Sequence, residues 1–252
     1  MIYAVLVLML GLVTGARTVP WHGAARVAQG GVAAHRAGPA VPDSLVPVGD
    51  LPLTVVQAPK GPLLAVLLTG DGGWAAADKS LAAAFVRRNV AVVGLSSPRY
   101  LVHGRTPDEA AEDLARILRH FLDAWHRERV VMVGYSRGAD IGPFMVSRLP
   151  AALQERVAVT ALLGPGEWAS FKLGLLDLFR SHGRNGLPVS SEVAKLHGTP
   201  VLCIYGSKET GAICPSLYQA GLARAVVRIG GHVVREDEGP ALVDVILAAI
   251  PS

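Results

Sequence analysis

The sequence predicts an α/β fold in which helices cover both faces of a mostly parallel central sheet. Short runs of apolar, β-branched residues recur along the 252-residue chain, and helical patterns separate them. Strands that are buried on both faces read as such continuous runs, because crossover helices cover a parallel sheet on each side. A second observation narrows the class: one of these runs ends in a Gly-x-Ser-x-Gly motif that opens a helix.

That motif is Gly134-Tyr135-Ser136-Arg137-Gly138, preceded by an apolar strand and followed by a helical pattern at residues 139–149. Strand, Gly-x-Ser-x-Gly and helix in this order are typical of the nucleophile elbow of α/β-hydrolases. The turn is sharp and strained, and it leaves the serine hydroxyl exposed at the carboxyl end of the strand. We therefore predict the α/β-hydrolase fold, with Ser136 as the nucleophile.

The other elements follow in alternation. An edge strand is expected at residues 51–58, and further strands at 63–69, 90–95, 129–134, 157–163, 200–206 and 223–229. Helices are expected at residues 75–88, from 107 to about 125, and at 241–250. The long helix has the clearest start, because Thr106 is a suitable N-cap, Pro107 suits the first position, and Glu109 closes a capping box. Residues 164–197 exceed a simple crossover and are expected to form a small cap over the site.

The N-terminus resembles an export signal. Residues 2–13 are an apolar run too short to span a bilayer, and small residues follow at Thr14 to Ala16. We expect a signal peptide at residues 1–16, a poorly ordered leader rich in Gly, Ala and Pro at 17–50, and one domain at 51–252. An uncleaved N-terminus that tethers the chain to a membrane, or a wrongly assigned start codon, are the alternatives.

The net charge of +4 is small. It favours either peripheral contact with an anionic membrane surface or an ordinary solvated basic face. The sequence shows no nucleic-acid motif, so no nucleic-acid partner is expected. No cofactor is needed for the predicted chemistry.

A serine hydroxyl needs a general base, and the base needs an orienting acid. In α/β-hydrolases these follow in the order Ser, acid, His. Of the eight histidines, His232 is best placed, because it follows the last strand after two glycines. Glu209 is the carboxylate in the loop after the strand at 200–206, and Glu167, after the preceding strand, is the alternative acid.

The oxyanion hole is expected to use the backbone N–H of Arg137 and that of Asp71 or Gly72, in the glycine-rich loop after the strand at 63–69. The carboxylate of Asp71 would either attract a cationic substrate group or hold its own loop. Arg137, as a cation beside the nucleophile, would disfavour a cationic substrate.

Cys203 and Cys214 bracket the loop that contains Glu209. In an exported protein such a pair predicts a disulfide, and two buried thiols are the alternative. A metal site is not expected, because no histidine lies near the two cysteines to complete it.

Several motifs together resemble the bacterial virulence family typified by VirJ and AcvB. They lie in this order along residues 63–250: Thr69-Gly-Asp-Gly-Gly-Trp74, Ser97-Pro-Arg-Tyr100, Gly134-Tyr-Ser-Arg-Gly-Ala-Asp140, Cys203-Ile-Tyr-Gly206 and Gly230-Gly-His232. The resemblance implies a periplasmic α/β-hydrolase of Gram-negative bacteria, linked to virulence and type IV secretion. It also implies hydrolysis of the aminoacyl ester of lysyl-phosphatidylglycerol, with Ser136 as nucleophile and His232 as base.

The sequence therefore predicts an exported serine hydrolase of a carboxylic ester. Two other functions stay open at this point. One is a periplasmic binding or assembly factor that keeps the hydrolase fold without turnover, because fold alone does not dictate function. The other is a general esterase of small soluble substrates.

Overall fold

A computed structural model describes residues 25–26, 48–173 and 186–251 of the chain. The expected signal peptide at residues 1–16 lies outside the described residues. So does the leader at 17–50, apart from a two-residue strand at 25–26 and a turn at 48–50. The expected cap at 164–197 is described only in its first and last parts.

Strands and helices alternate as expected from residue 53 onward. The strands are β1 (Ala25–Arg26), β2 (Leu53–Val56), β3 (Leu63–Leu68), β4 (Ala91–Leu95), β5 (Arg129–Tyr135), β6 (Val157–Leu163), β7 (Trp168–Ala169), β8 (Leu187–Pro188), β9 (Val201–Gly206) and β10 (Arg224–Arg228). The helices are α1 (Ala76–Val86), α2 (Ser97–Leu101), α3 (Pro107–Ala124), α4 (Arg137–Ser147), α5 (Ala151–Gln154), α6 (Val189–Val193), α7 (Cys214–Gln219) and α8 (Gly239–Leu247). A 3-10 turn at Glu236–Glu238 precedes α8.

The main sheet has the strand order β1-β10-β9-β6-β5-β3-β4-β2. Its pairs are parallel except β2 with β4, so the predicted edge strand is antiparallel. The carboxyl ends of β3, β5, β6, β9 and β10 consequently lie along one edge of the sheet. Loops from separate parts of the chain meet at that edge, which is where ligands bind in such sheets.

Two apolar cores lie on opposite faces of this sheet, and the alternation along β3 shows the division. Leu64, Val66 and Leu68 belong to one core, whereas Ala65 and Leu67 belong to the other. The first core is covered by α3, α4 and α6, and the second by α1 and α8. The predicted fold class, a mostly parallel sheet with helices on both faces, is therefore confirmed.

The start of α3 confirms the predicted capping box. Thr106 Oγ1 accepts the N–H of Glu109 at 3.2 Å, and Glu109 Oε2 accepts the N–H of Thr106 at 2.7 Å. Two N–H groups that the helix itself cannot satisfy are thereby paired. The apolar stripe ends at Trp125, which is the C-cap.

The last helix begins two residues earlier than predicted, at Gly239, because Pro240 suits a first-turn position that needs no N–H partner. The short helices α2, α5, α6 and α7 and the β7–β8 hairpin were not predicted. Elements of two to six residues carry too little periodicity to be recognised in sequence. Within the described parts of the chain, no helix combines the length and apolar character needed to cross a bilayer.

Candidate active site

The turn between β5 and α4 has the backbone of a nucleophile elbow. Ser136 adopts φ 52° and ψ −120°, a region that non-glycine residues rarely occupy. A Cβ on Gly134 would lie 2.4 Å from the carbonyl oxygen of Gly138, and one on Gly138 would lie 2.0 Å from the carbonyl oxygen of Leu68. Both glycines are therefore required, because the start of α4 packs directly onto the backbone of the sheet.

Ser136, His232 and Glu209 form one hydrogen-bonded series. The Nε2 atom of His232 lies 2.8 Å from Ser136 Oγ, and its Nδ1 atom lies 2.6 Å from Glu209 Oε1. An ionised carboxylate has no proton to donate, so Nδ1 carries the imidazole proton and Nε2 accepts from the serine hydroxyl. The arrangement leaves Nε2 free to take the serine proton.

Glu209 is held in the ionised form. Its side chain is 5 % exposed, and this burial opposes ionisation, but hydrogen bonds from His232 and from the backbone N–H of Gly206 outweigh it. The pKa of the carboxyl therefore lies below its ordinary value. The bond from Gly206 N–H to Oε2 is 2.9 Å long, so both carboxylate oxygens are fixed.

The imidazole of His232 is packed between Tyr135 and Gly164. The Tyr135 ring stacks on it with centroids 5.9 Å apart and planes 21° apart. Gly164 follows β6 with φ 61°, and a Cβ there would lie 2.9 Å both from His232 Nδ1 and from Glu209 Oε1. A side chain at position 164 would thus press against both groups at their hydrogen bond.

The glycine-rich loop after β3 borders the serine. A Cβ on Gly70 would lie 3.2 Å from Ser136 Cβ. Beyond it, Asp71 pairs with Arg137 through both of its carboxylate oxygens. The Asp71 carboxylate thereby ties the glycine-rich loop to the side chain of Arg137.

The expectation that Arg137 presents a cation to the substrate was wrong. Its side chain is 3 % exposed, and its guanidinium is bound to Asp71 rather than directed to solvent. Arg137 and Gly138 open α4, and the first N–H groups of a helix have no partner inside it. The ion pair joins the start of α4 to the glycine-rich loop beside Ser136. The predicted oxyanion donors, the N–H groups of Arg137 and of Asp71 or Gly72, belong to these two segments.

An open pocket of about 380 Å³ lies over the serine, a volume within the range of small-molecule sites. It is lined by the Ser136, His232 and Glu209 series, by Asp140, and by residues 164–168 and 210–211. A wider groove of about 700 Å³ runs along α3, but no Ser, His or Cys lines it. The smaller pocket is therefore the one of the two that is lined by a serine and a histidine.

Glu167, the alternative acid, lines the pocket with an exposed side chain, whereas Glu209 bonds to His232. The loop that carries Glu167 is anchored by Asp140, whose Oδ1 accepts the N–H of Gly166 at 2.7 Å. Trp168, in the same loop, is partly buried and also lines the pocket.

Cys203 and Cys214 form the predicted disulfide, with their Cα atoms 5.4 Å apart and 11 residues of sequence separation. Both residues are fully buried. The bond ties β9 to α7 and closes the loop that contains Glu209. Among the described residues, no group of three or more His, Cys, Asp or Glu side chains is arranged to hold a metal ion.

Sequence reasoning missed three residues of this site: Gly164, Tyr135 and Arg228. Arg228 is 4 % exposed and donates to the carbonyl oxygens of Gly231 and His232. A signal was present, because Arg228 interrupts the apolar residues from Ala225 to Ile229 just before Gly230-Gly231-His232. Tyr135 lies inside the elbow motif itself.

Residues 62–252 match the family described as bacterial virulence protein (VirJ). A comparison with curated protein sequences gives no significant match. Among solved structures, a thioesterase domain from the curacin biosynthetic pathway aligns with TM-score 0.59 and 12% identity, over 82% of this chain and 98% of that one.

Two esterases give similar alignments. The Pyrococcus furiosus esterase Pf2001 has TM-score 0.59 and 13% identity over 79% of this chain and 87% of its own. Est1E from Butyrivibrio proteoclasticus has TM-score 0.58 and 13% identity over 82% of this chain and 98% of its own. At these identities the likeness shows the fold, which is that of α/β-hydrolases.

Proposed function

The chain belongs to the VirJ family of bacterial virulence proteins and has the α/β-hydrolase fold, and from this premise we propose that it is a serine hydrolase of carboxylic esters. One observation carries the proposal: His232 bonds through one nitrogen to Ser136 Oγ and through the other to Glu209. Nucleophile, base and orienting acid within hydrogen-bond reach are what acyl transfer by a serine requires.

In the proposed reaction, Ser136 Oγ attacks the ester carbonyl while His232 Nε2 takes the hydroxyl proton. The carbonyl π electrons move onto its oxygen, and the N–H groups of Arg137 and of Asp71 or Gly72 stabilise that oxyanion. The carbon–oxygen ester bond then breaks, and the imidazolium returns its proton to the leaving alcohol. Water repeats the sequence on the acyl-enzyme and releases the acid. Throughout, the carboxylate of Glu209 stabilises the imidazolium.

We further propose that the acyl part of the substrate is cationic, as in the aminoacyl ester of lysyl-phosphatidylglycerol. Glu167 brings an exposed carboxylate to the lining of the pocket, and no Lys or Arg is among the described lining residues. The guanidinium of Arg137 is buried and paired, so it does not oppose a positive group. Glu167 and Trp168 together offer the negative charge and aromatic surface that an ammonium group prefers.

The proposal includes a periplasmic location. The buried Cys203–Cys214 disulfide supports it, because such bonds persist in oxidising compartments and are rare in the cytosol.

The test of the function compares three substrates with the purified protein: lysyl-phosphatidylglycerol in mixed micelles, an alanyl analogue, and a neutral p-nitrophenyl ester. Release of free lysine that Ser136→Ala abolishes supports the proposal. Folded protein that cleaves none of the three contradicts it and favours a binding factor without turnover.

Glu167→Gln tests the substrate class separately. Loss of the exposed Glu167 carboxylate should lower kcat/KM for the lysyl ester by about two- to fivefold, the effect of one solvent-screened ion pair of up to about 1 kcal/mol. The neutral ester should be cleaved at the unchanged rate. Equal effects on both substrates would contradict the cationic class while leaving the hydrolase standing.

A further inference from the structure

The loop that carries His232 is exposed, yet its imidazole makes two hydrogen bonds at once. Gly231, His232 and Val233 are all exposed, and Gly230 has φ 133°, a conformation open mainly to glycine. Ordering such a loop costs conformational entropy. Contacts from outside the loop are therefore needed to hold its backbone.

Arg228, the last residue of β10, makes contacts of this kind from beneath the loop. Its side chain is 5 % exposed. Its Nη2 atom donates to the carbonyl oxygen of Gly231 and, at 2.8 Å, to that of His232. One guanidinium nitrogen thus binds two consecutive carbonyl groups, including that of the proposed base itself.

Glu238 fixes the other side of this guanidinium. Each oxygen of its carboxylate lies 3.3 Å from Arg228 Nη1, and Oε2 also accepts the N–H of Arg235 at 2.7 Å. The buried positive charge is thereby paired, as a charge removed from water must be. The pair joins the histidine loop to the 3-10 turn before α8.

We propose that Arg228 is a positioning residue for the hydrolysis, which acts by holding the backbone of His232 so that Nε2 stays within reach of Ser136. The inference rests on the proposed function. Its chemical basis is that misplacing a reacting group by about 1 Å is enough to cost roughly 10²-fold in rate. The guanidinium binds both carbonyl groups through Nη2 while its Nη1 stays on Glu238, whereas an ammonium group has a single nitrogen for all of these partners.

Arg127 provides a matched control elsewhere in the fold. It is also buried, 7 % exposed, and its guanidinium also binds two backbone carbonyls, those of Ala58 and Gly61. It precedes β5, whose seven residues separate it from the elbow. At ~3.3 Å per strand residue, the length of β5 places the Arg127 guanidinium about 20 Å or more from the end of the sheet where Arg228 and His232 lie.

The experiment measures kcat and KM on a cleaved ester, together with urea unfolding, for Arg228→Met and Arg127→Met. Both variants are expected to lose stability. Arg228→Met should lower kcat by roughly 10- to 100-fold with KM within about threefold, because the base is displaced while the pocket persists. Arg127→Met should keep kcat within about twofold. Equal kcat values in the two variants would overturn the positioning role.

Arg228→Lys keeps the test valid if the methionine variant does not fold. This variant retains the charge and the stem, but it offers one nitrogen in place of the fork. Its kcat should fall by about fivefold or more, between wild type and Arg228→Met. Wild-type kcat in folded Arg228→Lys would contradict the proposal.

The two proposals fail differently. If the wild-type protein cleaves no ester, the hydrolase function is wrong, and the role of Arg228 falls with it. If the wild-type protein is active and Arg228→Met matches it, only the positioning role is refuted.

Discussion

Gly164 offers a sharp test of the site geometry, because it lies against both the proposed acid and the proposed base. A Cβ at this position would lie 2.9 Å from Glu209 Oε1 and 2.9 Å from His232 Nδ1. These atoms are themselves only 2.6 Å apart. In Gly164→Ala the new methyl group must displace at least one of them, and this shift disturbs the hydrogen bond that orients the imidazole.

The magnitude follows from what that bond does. Disabling the orienting acid of a serine triad costs up to about 10⁴-fold in kcat, and a displacement of about 1 Å costs roughly 10²-fold. The shift needed to relieve a 2.9 Å contact is smaller than 1 Å, so we expect Gly164→Ala to lower kcat by roughly 10- to 10²-fold. Gly164 has φ 61°, so alanine also introduces backbone strain of roughly 1–2 kcal/mol.

Gly198→Ala separates the strain from the steric effect. Gly198 has φ 80°, but nothing lies within 4 Å of a Cβ built there. It should lose a similar roughly 1–2 kcal/mol in urea unfolding while keeping wild-type kcat. If Gly164→Ala retained kcat within tenfold of wild type, the proposed contact between acid and base would not control the reaction.

Three further predictions concern the acid, the disulfide and a buried carboxyl. Glu209→Gln should lower kcat by more than about 10²-fold, because a neutral amide neither selects the Nδ1–H tautomer nor stabilises the imidazolium. An effect below tenfold would assign the role of the acid to Glu167. Reduction of the disulfide between Cys203 and Cys214, which are separated by 11 residues, should lower the free energy of unfolding by about 3 kcal/mol in urea titrations. Equal urea midpoints for the reduced and oxidised protein would refute this. Burial raises the pKa of Asp78 from 3.8 to about 6, so its ionisation destabilises the fold as pH rises through that window. Asp78→Asn should accordingly be more stable than wild type by up to about 3 kcal/mol at pH 7.5, and the two should be equally stable below pH 3.5. A variant that is no more stable than wild type at pH 7.5 would contradict the effect of burial on the pKa of Asp78.

The parts of the site that sequence could predict are those encoded locally. The elbow was recognisable because Gly134, Ser136 and Gly138 fall at fixed spacing between a strand and a helix. Parallel strands bring their carboxyl ends to one edge, so the loops with Glu209 and His232 were expected there. The disulfide was predicted from the spacing of the only two cysteines.

The parts that could not be predicted depend on which distant side chains meet. Asp71 and Arg137 are 66 residues apart, and nothing in either segment shows that the carboxylate neutralises the guanidinium. The choice between Glu209 and Glu167 was likewise open, because both follow strands that are neighbours in the sheet. Only the direction of the Glu209 side chain, toward His232, distinguishes them.

The role of Gly164 could not be predicted from the sequence for another reason. Gly164 matters because a side chain there would contact Glu209 and His232. A sequence gives no sign that a position must stay without a side chain. The short helix α6 was missed for a related reason, since its five residues are stabilised by packing of Val189 and Val193 against the core rather than by a recognisable periodicity.

Labelling with a fluorophosphonate shows whether Ser136 is an activated nucleophile. The purified protein is treated with the probe, and the modified residue is mapped by mass spectrometry, with folded His232→Ala as control. We expect a label on Ser136 that the control loses. Folded wild-type protein without a label at Ser136, or a label that persists undiminished in His232→Ala, would contradict it.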